Sequence, residues 1–107
     1  MATVATIPVT IHPDAAAFLE EVGQARELEI MLEYARETIP ALRALDVVLH
    51  DFPETGPPSL TIDAHRDPLP TGYDFADQEF GRWQVRAFPP EVCQNFTLMS
   101  IFHTHER

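Results

Sequence analysis

From Phe18 to Ile39 the chain keeps a single apolar stripe. Phe18, Val22, Ala25, Leu28, Leu32, Ala35 and Ile39 recur at spacings of three and four. That interval is the period of an α-helix lying on an apolar surface, and a strand cannot satisfy it. Glu20, Glu21, Glu27, Glu33 and Glu37 fall mostly off the stripe, which leaves an acidic outer face. His12-Pro13-Asp14 reads as the start, with proline near the first helical position and an acid in the first turn. Pro40 ends the helix at or before Ile39. The expectation is one long helix over about 14–39. Gly23 costs it about 1 kcal/mol against alanine and marks either a kink or a break into two helices.

The remaining segments read mostly as strands. Residues 4–11 alternate weakly, and Pro8 confines them to an edge or first strand. RALDVVLHDF and SLTIDAHR alternate on either side of the turn PETGPP, which predicts a hairpin with Leu45, Val47, Leu49, Leu60, Ile62 and Ala64 inward. Two registers keep those faces together. The one that sets Asp46 opposite His65 is preferred to the one that sets it opposite Asp63, because like charges across a pair repel. In the connection that follows, DFADQEF has room for one or two helical turns, and RWQVRAF alternates with Trp83, Val85 and Ala87 on one face, a strand. PPEVCQNF reads as a short helix opened by Pro90. TLMSIFH is apolar on both faces and reads as a central strand. The order is β-α-β-β-(α)-β-(α)-β in one α+β domain, 1–107: a mostly antiparallel sheet of four to five strands with the long helix packed on one face.

Charge narrows the function. Seventeen acids against seven arginines, with no lysine, give a net charge of −10 over 107 residues. The missing lysine fits the codon bias of a GC-rich bacterial genome. Such a surface repels phosphate backbones, and the arginines are scattered, so direct nucleic-acid binding is disfavoured and a basic protein partner is favoured. Cys93 is the only cysteine. A single thiol suits a reducing compartment, the first residues lack the pattern of a signal peptide, and no stretch approaches the roughly 20 apolar residues of a membrane span. A cytoplasmic location without membrane attachment is expected.

Few residues carry chemistry. His103 and His105 in IFHTHER share a strand face at about 7 Å, close enough to hold one ion. A zinc site wants three or four fixed ligands. His65, Asp67, His103 and His105 are the candidates for such a site or an enzyme, but a strand end with solvated imidazoles accounts for the tail without one. Cys93 lies early in a short helix, where a thiol can be activated, yet EVCQNF carries no catalytic-cysteine signature. Phosphate-loop, dinucleotide and nucleophile-elbow motifs are absent. The candidate partner surface is Tyr73, Asp74, Asp77, Glu79 and Trp83, aromatic anchors among acids. The leading reading is a small non-catalytic binding module without a cofactor. It is inhibitor-, antitoxin- or immunity-like, and its partner is a basic protein such as a nuclease. The alternatives are the histidine-centred metal site or enzyme, and a ligand-binding or regulatory homodimer joined by sheet edges.

Overall fold

A computed structural model of the chain describes residues 7–69 and 74–103. It is α+β. Strand β1 (Val9–Ile11) leads into helices α1 (Pro13–Val22) and α2 (Ala25–Thr38), which lead to β2 (Leu42–His50). A connection holding one 3-10 turn, Pro53–Thr55, returns the chain as β3 (Ser59–Arg66). Helices α3 (Ala76–Ala87) and α4 (Pro90–Cys93) then cross to β4 (Phe96–Phe102). The four strands lie in chain order. β1 is parallel to β2, β2 antiparallel to β3, and β3 parallel to β4. Two β-α-α-β halves are thus joined by a central hairpin.

The helical signals hold, with one division. Gly23 takes the left-handed conformation at φ 68°, and its N–H donates to the Leu19 carbonyl at 2.8 Å. A glycine reaches that region without a Cβ clash, so it closes α1. There is therefore no single long helix over 14–39. The stripe survives the break because both helices lie on the same core. α1 buries Ala15 and Leu19; α2 buries Leu28, Met31, Leu32 and Ala35. Pro13 starts α1, and Ile39 caps α2 ahead of Pro40, as the sequence implies. Leu28 is 2% exposed, and Leu28→Ala should lower unfolding free energy by about 2–5 kcal/mol in a urea melt.

RWQVRAF is helix, not strand. Trp83 and Ala87 are four apart, so the residues that share a strand face also share a helix face. Phe80 and Gln84 complete that face and are buried, whereas Val85 is 65% exposed. Reading the segment as helix removes a strand and supplies the crossover that a parallel neighbour needs. Among the described residues the sheet is therefore mixed, with four strands, rather than mostly antiparallel.

β4 is an edge strand rather than a central one, and its Met99 and Phe102 are about half exposed. Asn95 and His103 bond to β3, at Leu60 N and Arg66 O. By the alternation of a parallel pair, Leu98, Ser100 and Phe102 turn their main-chain groups to the open edge. Asp77 covers the middle of that edge, accepting from the Ser100 N–H at 3.1 Å and from its hydroxyl. A carboxylate so placed discourages another strand from pairing there.

The hairpin faces are as expected, but the register is not. Leu45 pairs with Ala64, Val47 with Ile62, Leu49 with Leu60, and Asp46 with Asp63. The expected register keeps the same faces but slides by two residues and would set Leu60 against Asp51. Burying Leu60, 0% exposed, outweighs the repulsion of two acids on a face open to solvent. All four helices contribute to one core with Leu45, Val47, Leu60, Ile62, Ala64 and Phe96, alternate residues on one side of the sheet. Among the described residues no helix covers the opposite side. None of the helices among the described residues is long and apolar enough to cross a membrane.

Candidate functional site

Strand alternation puts Asp46, Val48 and His50 of β2 on the helix-free face. Thr61, Asp63 and His65 of β3 join them, with Thr97, Met99 and Ile101 of β4. The Asp63 carboxyl feels His65, His50 and His12. Burial raises it above the usual carboxylate value, and Asp46 adds to the rise, while the three imidazoles pull it down.

On this face a continuous polar chain forms. His65 Nε2 lies 3.0 Å from Asp46 Oδ2, and His65 Nδ1 lies 2.8 Å from His103 Nε2. Register builds it. Asp46 faces Asp63 directly, so His65, two residues on, is its diagonal neighbour within side-chain reach. His65 pairs with Ile101 in β4, which sets His103 one pleat further, and the His103 N–H donates to the Arg66 carbonyl at 2.9 Å. Donor rules then fix the protons. An ionised Asp46 only accepts, so His65 carries its proton on Nε2. When both rings are neutral, His65 Nδ1 accepts from His103 Nε2–H, and His103 Nδ1 is left as a bare acceptor. One added proton changes that. Whichever ring holds the charge, His103 Nδ1 then bears a hydrogen. The outer nitrogen of the chain therefore switches between acceptor and donor.

Two local irregularities stand beside this chain. Ala41 is the only non-glycine at positive φ among the described residues, at 59°, and the β2–β3 register shifts between Leu42 and Ala44. Bulges re-aim side chains, and strained backbone gathers at working sites. The residue re-aimed is Arg43. With Ala44, His65 and His103 it lines a cleft of about 330 Å³. Its guanidinium is half exposed and held by Asp67 at a loose 3.5 Å.

Other residues singled out from the sequence lie elsewhere. Tyr73 and His105 fall outside the described residues. Asp74 is ion-paired with Arg66, at 2.5 Å from Nη2 and 3.3 Å from Nη1, and Asp77 serves Ser100, so both acids are engaged within the fold. Glu79 is exposed. Trp83 is half-buried, stacked on Tyr34 at 3.9 Å and edge-on to Phe88. Of the metal candidates, His65 and His103 meet, while Asp67 turns to Arg43. No group of three or more histidine, cysteine or acidic residues among the described residues could hold an ion, since His65 spends both nitrogens on its neighbours. The Cys93 thiol rests against the Gln84 and Phe88 carbonyls. Arg66 escaped notice in the sequence, although its place on the inward parity of SLTIDAHR was a signal that a charge would be buried.

A second feature lies where α1 meets the β2–β3 connection. A groove of about 640 Å³ has Ala17, Phe18, Leu49 and Pro58 along it, with Asp14, Glu20, Glu21 and Asp51 around them. Among the described residues, Glu20, Glu21 and Asp51 form no ion pair. No family model, curated protein or solved structure matches this chain significantly.

Proposed function

We propose that this protein is a non-catalytic binding module that docks a basic protein in the cytoplasm, as an inhibitor-, antitoxin- or immunity-like partner does. The observation that carries the reading is the groove beside α1. Its apolar lining suits the aliphatic stems of lysine or arginine, and its unpaired acids suit their head groups. The net charge of −10 would steer such a partner towards it. A nuclease, whose substrate-binding face is basic, is the sharpest form of the proposal. The stretch Tyr73, Asp74, Asp77, Glu79 and Trp83 would extend the contact; among its described residues Glu79 is exposed and Trp83 half-buried, whereas Asp74 and Asp77 also have partners within the fold.

The test begins with affinity purification from the native host, followed by kinetics with the captured protein. Joint reversal of Glu20, Glu21 and Asp51 to lysine should slow association by about tenfold or more while changing dissociation less. Affinity should also fall as salt rises, since exposed charges are screened beyond roughly 8–10 Å at physiological ionic strength. A partner whose association ignores both the reversal and the salt would refute the reading.

A further inference from the structure

The cleft beside the Asp46–His65–His103 chain shares no lining residue with the groove beside α1, and its chemistry has the opposite sign. We infer that Arg43, His65 and His103 form a site for a tetrahedral oxyanion of the phosphate class, carried by a small molecule. Three independent observations converge there. The left-handed Ala41 and the bulge next to it both bear on Arg43. The cleft of about 330 Å³ is lined by Arg43, Ala44, His65 and His103, so it offers cationic and imidazole donors with one small wall residue. The acids that could block it are already engaged: Asp46 accepts from His65, and Asp67 faces the guanidinium.

The donor set suits an oxyanion. Arginine presents a planar fork of N–H groups that pairs with phosphate oxygens, and a charge-assisted bond is about twice as strong as a neutral one. Its hold on Asp67, at 3.5 Å, is long enough to yield to a ligand. The His65–His103 pair supplies the second donor when it carries its extra proton, because His103 Nδ1 then bears a hydrogen. When it does not, a lone pair faces the anion. Binding is therefore tighter in the protonated form of the pair, so affinity is expected to depend on pH. The charged and titratable groups around the pair are Arg43, Asp46 and His50 from β2, Asp63 and Asp67 on or just after β3, and His12 at the start of α1. On the open face β4 contributes Thr97, Met99 and Ile101, none of them ionisable.

Sulfate is the probe, because its charge is constant across the range, and the protein is stripped with chelator beforehand. Titrations at matched ionic strength, pH 5.5 against pH 8, are followed through the histidine ring resonances. Sulfate should shift the His65 and His103 signals and bind about tenfold or more tightly at the lower pH, the worth of one charge-assisted hydrogen bond. Arg43→Gln and His103→Gln, both exposed and so harmless to folding, should each abolish the shift, whereas Glu33→Gln, exposed on α2 and outside the cleft, should leave it intact. Absence of a sulfate shift at pH 5.5, equal affinity at the two pH values, or binding that survives Arg43→Gln would each overturn the inference. None of these results bears on the groove beside α1, so this site and the docking proposal stand or fall separately.

Discussion

Arg66→Ala is expected to lower unfolding free energy by about 3–5 kcal/mol, the cost of breaking a buried charge pair. Arg66 is 1% exposed, although it ends a strand. Its Nε donates to the Pro40 carbonyl at 3.1 Å, its Nη1 to Ser100 Oγ at 3.0 Å, and both terminal nitrogens to Asp74. The guanidinium also lies 4.8 Å from the centroid of the Phe102 ring. One side chain thus ties the end of α2, the edge strand β4 and the entry to α3 to β3. Alanine removes all of these and leaves Asp74 without its cation.

Asp74→Asn tests the same contact from the other side and predicts a pH signature. Hydrogen bonds from Arg66, first among the causes, hold the Asp74 carboxyl below its ordinary 3.8. A depressed carboxyl stabilises the fold fully above the unfolded value, and that contribution is lost as pH falls from about 3.8 through the folded value. Asp63 acts with the opposite sign. Burial raises its carboxyl, so its contribution is full below 3.8 and is lost as pH rises through the folded value. Acid denaturation of the wild type should therefore show a loss below pH 3.8 that Asp74→Asn removes. An Arg66→Ala protein with an unchanged melting temperature would mean that the contact contributes nothing, since a domain of this size shifts by about 4–8 °C per kcal/mol.

Phe80→Ala should be as costly, about 3–5 kcal/mol, the range for a phenylalanine removed from a core. Phe80 is 2% exposed and meets Tyr34 at 5.9 Å and Trp83 at 5.4 Å, ring to ring. Val85→Ala, on the opposite side of α3, should change stability by no more than about 0.5 kcal/mol, as surface substitutions do. The pair of variants separates the two readings of this segment. A strand with Trp83, Val85 and Ala87 inward needs Val85 in the core; a helix leaves it in water. Equal losses from the two substitutions would reinstate the strand.

How much was legible depends on the range of the signal. Pro13 and Pro40 bound the first helical region because proline acts on its own turn and on the residue before it. The burial of Leu28 and Leu32, and the inward faces of the hairpin, follow from period alone, 3.6 for one and 2 for the other. Parity, however, does not fix register. A slide of two residues leaves every side chain on its own face, so only the match of Leu49 to Leu60 across the sheet chose between the two pairings. The same ambiguity hid α3, where Trp83 and Ala87 fit either period until Phe80 found Tyr34. It also hid the candidate oxyanion site. Asp46 and His65 belong to neighbouring strands, His103 lies beyond an edge strand 38 residues from His65, and a bulge brings Arg43 to them. From its sequence alone this protein has helix and strand character, charge and buried faces, since each depends on neighbours along the chain. Strand direction, register and the meeting of Arg43, Asp46, His65 and His103 came from tertiary structure, because non-local packing decides which of several locally equal arrangements buries the most apolar surface.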